Sequence, residues 1–190
     1  MNDKNHFLYF SLASVLFSVL TISAFVLTDV NKKEQAHGVN SYAEGSGSET
    51  KKVGSVITGI DPQLVTASSA ILYSPPSNVV DGNPQTSWNI STSATPATPQ
   101  WVQIELPTTQ TISSIRLTVN QSNPGQTLHR IFIGKTAQDL VEAGTLQGTT
   151  KNDDILDLSF STSFTGKIVR VVTEVSSGLL TGWKEIQLYQ

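Results

Sequence analysis

Residues 101–107 read Trp-Val-Gln-Ile-Glu-Leu-Pro. Successive side chains of an extended strand point to opposite faces. Val102, Ile104 and Leu106 therefore share one face, against Trp101, Gln103 and Glu105. One apolar and one polar face is the pattern of a half-buried strand. The same alternation recurs outward along the chain. Residues 112–119, ISSIRLTV, set Ile115, Leu117 and Val119 against Ser114, Arg116 and Thr118. DILDLSF groups Leu156, Leu158 and Phe160, and KIVRVVTEV sets Val169, Val171, Thr173 and Val175 against Ile168, Arg170, Val172 and Glu174. The final EIQLY alternates Ile186 and Leu188 with Glu185, Gln187 and Tyr189. Gly, Pro, Asn, Ser and Thr break these runs, as at Asn123-Pro124-Gly125. Short strands with short connections predict antiparallel pairing in a β-sandwich. One helical turn is expected at 136–144, with Thr136 as its cap and Gly144 as its stop.

Composition narrows the function. The 190 residues hold 12 Lys+Arg against 15 Asp+Glu and no cysteine. A thiolate zinc site, a cysteine nucleophile and a disulfide framework are excluded. No basic block offers a grip on nucleic-acid phosphates.

The first 54 residues differ in character. Residues 7–28, FLYFSLASVLFSVLTISAFVLT, run 22 residues without a charge. As a helix they would reach about 33 Å, matching a hydrocarbon core of about 30 Å. Residues 1–6 form a short tail. The 7–28 segment is expected to be a transmembrane anchor or, if cleaved, a signal peptide; no A-x-A cleavage site stands out. Lys32 and Lys33 weakly oppose an N-inside orientation, but the outer domain reads as extracellular. Residues 29–54 are polar and Gly/Ser-rich, without helical or strand period, and are expected to be a flexible linker.

Residues 65–88, VTASSAILYSPPSNVVDGNPQTSW, carry a resemblance. Ala67-Ser68-Ser69, a Pro/Asn loop, Val80-Asp81-Gly82-Asn83 and Thr86-x-Trp88 follow one another. The Trp101-led strand, an Ile112/Ile115/Leu117 strand and a closing Lys184-Glu185-Ile186-Gln187-Leu188-Tyr189 come after. This order resembles the discoidin, or coagulation factor 5/8 type C, family, which includes the family 32 carbohydrate-binding modules. The resemblance covers nearly all of 57–190. It implies an eight-stranded, antiparallel, galactose-binding-like jelly-roll sandwich over 55–190. Such domains are usually non-catalytic and bind glycans, phospholipid headgroups or proteins through loops at one end.

Residues 81–86, DGNPQT, offer carboxylate, amide and hydroxyl oxygens on a sharp bend. Alone they read as a metal-free Asx-type turn. Calcium takes six to eight oxygens at about 2.3–2.6 Å, so a second segment must contribute. The resemblance implies a structural calcium held by Asp81, Asn83, Thr86 and Glu185, with a backbone carbonyl near Asn78.

For a sugar, tryptophan is the first stacking group to consider. Trp88 and Trp101 sit in the motifs of the resemblance and are expected to pack. Trp183 follows a loop and is the stacking candidate. The amide-rich loop at 120–126, with Asn120 and Asn123, suits an uncharged hydroxylated ligand; His129 and Arg130 follow it. Leu179-Leu180 in a loop offers the opposite reading, insertion into a bilayer. No serine elbow, P-loop, HExxH or dinucleotide motif occurs, and the Asp153, Asp154 and Asp157 cluster is expected to be a solvated turn without a partner. The expectation is a non-catalytic, single-pass carbohydrate-binding module displayed outside the cell. The alternative is a surface adhesion or assembly module binding a protein or phospholipid.

Overall fold

The computed structural model describes residues 39–41, 54–178 and 180–190. The expected tail, membrane span and most of the linker, together with Leu179, lie outside the described residues. No helix among the described residues is long and apolar enough to cross a membrane.

The strands are β1 (Val39–Ser41), β2 (Val65–Ala67), β3 (Trp88–Asn89), β4 (Gln100–Asn120), β5 (Gly125–Gly134), β6 (Val141–Thr150), β7 (Ile155–Val175) and β8 (Gly182–Tyr189). Two 3-10 turns, Pro62–Leu64 and Pro76–Val80, complete the elements. The strands join in the order β1-β6-β5-β7-β4-β8-β3, with β2 also on β4.

A single network becomes a sandwich because β4 and β7 are each 21 residues long and serve both layers. They pair antiparallel, with register breaks between Glu105 and Gln110 and between Ile112 and Ser114. Pro107 lies in the first break; proline has no N–H to give the ladder, and irregular pairing lets a strand bend. Before the break β4 pairs with β2; after it, with β8. The faces read from alternation are the buried ones: Val102, Leu106, Leu117, Val171 and Leu188 are all at or near zero exposure. Leu117→Ala is expected to cost about 2–5 kcal/mol through lost transfer energy and the cavity left behind. Chemical denaturation measures it; a cost under about 1 kcal/mol would place Leu117 outside the core.

Three expectations are corrected. The stretch 29–54 is not wholly without strand, since β1 runs parallel to β6, with Val39 opposite Thr145 and Ser41 opposite Gln147, while the strands within 55–190 pair antiparallel as expected. These three residues fall in the stretch read as structureless, because backbone pairing at a sheet edge needs no side-chain period. The helical turn at 136–144 is absent. Asp139 Oδ1 accepts the Thr136 backbone N–H at 2.7 Å, closing a tight bend, and β6 begins at Val141. The aspartate cluster has partners: Lys184 Nζ meets Asp153 at 2.5 Å, and Arg116 Nε meets Asp157 at 2.7 Å.

The bend in β4 brings its two ends to the same end of the sandwich, and hydrogen bonds tie the loops there together. The Ser68 N–H donates to Trp101 O at 2.9 Å and the Ile71 N–H to Asn89 O at 3.2 Å. The Ile90 N–H donates to Thr181 O at 3.0 Å, and the Ala94 N–H to Ser176 Oγ at 2.9 Å. The Gln121 N–H reaches Asn152 Oδ1 at 3.3 Å. Five loops thus form one crown.

Candidate functional site

Two sites emerge, one beside β8 and one on the crown. Beside β8, Pro76–Val80 ends in the bend that starts at Asp81. The bend is braced internally. Asp81 Oδ1 accepts the Asn83 N–H at 2.8 Å, and Asn83 Oδ1 accepts the Gln85 N–H at 3.1 Å. The Thr86 hydroxyl lies 2.8 Å from both Asp81 Oδ2 and Asn83 O. Asn78 Nδ2 donates to Ser87 O at 2.9 Å and closes the loop behind it.

Glu185 meets this bend from β8. Opposite Thr118 and Val119 the β4–β8 register slips, which frees Glu185 from strict alternation. Its carboxylate faces that of Asp81 and lies near the Gly82 and Asn83 backbone N–H groups. Burial, first, and the nearby Asp81 charge push its carboxyl up to about 7; the two N–H groups pull it back. Glu185 Oε1 is buried without a hydrogen-bond partner. Two carboxylates in contact call for either a shared proton or a cation between them. The described residues hold no cluster of three or more His, Cys, Asp or Glu, so a cation here would lean on amide, hydroxyl and carbonyl oxygens. That oxygen set, with an orphaned carboxylate oxygen, fits a hard cation such as calcium. Asp81, Asn83, Thr86 and Glu185 would hold it.

On the crown, the residues expected to touch ligand fare unevenly. Trp183 is corrected: it is 1% exposed, in the core, with its ring edge-on to His129 at 4.6 Å between centroids. The glycine before it starts β8 and turns the side chain inward. Trp183→Phe is expected to cost stability and leave ligand binding intact, measured by thermal melting alongside titration. Lost binding in a folded variant would return Trp183 to the site. His129 is also corrected. It is 1% exposed, bonded through Nδ1 to the Thr173 hydroxyl at 3.0 Å, and burial pushes its pKa down to about 3. It is a neutral core residue. Arg130 is held between Glu142 at 3.1 Å and Glu174 at 3.0 Å, two carboxylates around one guanidinium, so it has no charge to spare for a ligand. Asn120 Nδ2 donates to Asn89 Oδ1 at 2.6 Å, while Asn123 stands exposed with Ser122 and Pro124 at the tip of its loop. Trp88 is fully buried, its indole N–H donating to Ser69 O at 2.8 Å. Trp101 instead faces outward under the Arg170 guanidinium, 4.7 Å from its ring centre.

The exposed aromatic of the crown is one that counting tryptophans overlooks. The Ser74 N–H donates to Ile71 O at 3.1 Å, making a tight turn with Leu72 and Tyr73 at its tip. Tyr73 is 89% exposed and Leu72 79%. Tyr73 has φ 69°, the left-handed region that an L side chain enters at a cost. Asn89, beneath the turn, donates to Ser74 Oγ at 3.3 Å. A chain of amides and hydroxyls, Ser74–Asn89–Asn120, therefore supports the strained turn. The signal in the sequence was Tyr73 followed directly by Ser-Pro-Pro, an aromatic set among turn formers.

The F5/8 type C domain model matches residues 64–186. No curated protein matches the chain. Among solved structures, the family 32 module of C. perfringens NanJ in complex with galactose is 22% identical, with TM-score 0.53, covering 69% of this chain and 97% of that one. The CBM32 of AlyQ in complex with 4,5-unsaturated mannuronic acid is 18% identical, TM-score 0.55, covering 74% and 99%. This chain spans 32% of a truncated AlyQ with CBM32 and alginate lyase domains. Chitosan-binding module 2 in complex with chitotriose, from a Paenibacillus sp. IK-5 chitosanase/glucanase, is 25% identical, TM-score 0.55, covering 66% and 95%. These likenesses extend to the all-β sandwich as a whole, and the family match takes in the Asp81 bend, the Tyr73 turn and most of β8. The chain belongs to the F5/8 type C domain family.

Proposed function

We propose that the domain is a non-catalytic carbohydrate-binding module that seats a sugar on the loop crown. The observation that carries this reading is Tyr73, a nearly fully exposed aromatic held in a strained turn and backed by amides. Strain of this kind costs about 1–3 kcal/mol and persists where the surroundings hold it, commonly at binding sites. A ring standing clear of the surface offers its face to a sugar ring, while amides and hydroxyls take the sugar hydroxyls. A structural calcium between the Asp81 bend and Glu185 belongs to the same proposal. It would tie an early loop to the last strand and stabilise the folded state by its binding energy. Residues 7–28 would tether the module to a membrane, with the domain outside. Leu72 and Leu180, both exposed, favour a second reading, contact with a phospholipid surface.

A glycan array probed with the full chain in calcium tests the first reading. Binding to a defined set of glycans, reduced for Tyr73→Ala, supports it. An array without signal in calcium, at protein concentrations of about 100 μM, contradicts it.

A further inference from the structure

The loop crown carries almost no charge, and this restricts its ligand. Residues 68–80, 89–100, 120–128 and 175–183 contain no Asp, Glu, Lys, Arg or His. The 55–190 region as a whole has seven basic and ten acidic residues, so the gap is local. The fifth loop is the exception, and its charges cancel. Lys184 pairs with Asp153 at 2.5 Å, and Asp154 Oδ2 accepts the Lys151 backbone N–H at 2.8 Å. In number, Lys151 and Lys184 match Asp153 and Asp154; Lys184–Asp153 is the ion pair, and Lys151 is exposed. On the outer sheet face Arg130 is engaged by Glu142 and Glu174 and Lys167 by Glu105 at 2.6 Å, whereas Arg170 bonds the neutral Gln103 Oε1 and covers the Trp101 ring.

What the crown does present is hydrogen-bonding and apolar. Asn89, itself buried, bonds Ser74 of the Tyr73 turn and Asn120 behind it, Leu72 shares the tip of that turn, and Leu180 is exposed on its own loop. The floor is fixed. Gln121 Nε2 donates to Thr150 O at 2.5 Å, the Thr150 hydroxyl donates to Gln121 Oε1 at 2.8 Å, and the Thr127 and Thr150 hydroxyls lie 3.2 Å apart. A carboxylated sugar stacked on Tyr73 would lose hydration with no cation in 68–80, 89–100, 120–128 or 175–183 to meet it. A protonated amino sugar would lose it without gaining a carboxylate. Either loss costs free energy when a charge is left unpaired.

Resting on the carbohydrate reading above, we propose that the crown selects neutral glycans and discriminates against both uronate and amino-sugar polymers. Specificity here comes from the lack of a counter-charge, which penalises the charged competitors. Because no ion pair forms, affinity is insensitive to salt over the range where screening removes surface electrostatics.

Calorimetric titration of the full chain tests this, with three probes: a neutral galacto-oligosaccharide, a mannuronate oligomer and chitotriose. Each is run at about 20 mM and 500 mM salt. The expected result is binding of the neutral oligomer, with affinity changed less than twofold by salt and at least tenfold above both charged probes. Tighter binding of either charged probe, weakening with salt, overturns neutral selectivity and leaves the carbohydrate reading standing. Binding to none of the three, with uptake onto neutral phosphatidylcholine vesicles, overturns both in favour of the lipid surface. As the control for the site, Tyr73→Ala is expected to lose the neutral oligomer while its melting temperature holds. Unchanged affinity in that variant moves the selective surface off the crown and overturns the proposal.

Discussion

Tyr73→Gly is expected to separate binding from stability. Glycine enters the left-handed region without steric cost, so the substitution relieves strain of about 1 kcal/mol. Glycine also loosens the unfolded chain, which offsets part of the gain. The net expectation is a melting temperature unchanged or raised by a few degrees. Binding moves the other way. Loss of a central aromatic anchor typically costs about 2 kcal/mol or more, at least thirtyfold in affinity. A residue kept only for packing would show the opposite, a lower melting temperature and unchanged affinity. Thermal melting and titration on one preparation read both quantities.

The second large effect is on the Asp81–Glu185 pair. Saturating calcium, at about a hundred times its dissociation constant, is expected to add about 2.7 kcal/mol of stability. Chelator is expected to remove it. In chelator the pair has a further signature. The Glu185 carboxyl titrates near 7 in the fold, against 4.5 in its ordinary state. Between those values the folded state holds more protons than the unfolded. Stability from this group is therefore full below about pH 4.5 and is lost as pH rises through about 7. His129 pulls the other way. Its folded pKa of about 3 lies below the ordinary 6.5, so its buried neutral ring loses stability as pH falls below about 6.5. The clean measurement is the difference between wild type and Glu185→Gln, which share His129. In chelator the variant is expected to gain on wild type as pH rises from 4.5 to 8. In calcium the variant is expected to lose, because a ligand is gone. A variant that responds to calcium as wild type does would remove the cation from this site.

Where the sequence was legible, the reason was periodicity. The β4, β7 and β8 faces were readable because one side of each strand is core and the other is not. Nearly every second residue of WVQIELP is buried, as alternation requires. Pairing of Asp81 with Glu185 was visible only through the resemblance, since residues about a hundred apart carry no local mark of contact. Trp183 was misplaced for a physical reason: a flexible-looking Ser-Gly-Leu-Leu loop runs up to Gly182, but β8 starts there and directs the indole inward. His129 alternates with Ile131 and Ile133, and that alternation puts it in the core and not against a ligand. Tyr73 escaped because exposure and a positive φ belong to a turn, and turns have no period. β1 escaped because backbone pairing needs no side-chain pattern.

The most direct test of the account is a crystal structure of the protein with a neutral oligosaccharide bound. The expected result is a sugar ring stacked on Tyr73, with its hydroxyls taken by neutral amides and hydroxyls of the crown. A sugar lying instead on the outer sheet face around Trp101 and Arg170, with the crown bare, would contradict it.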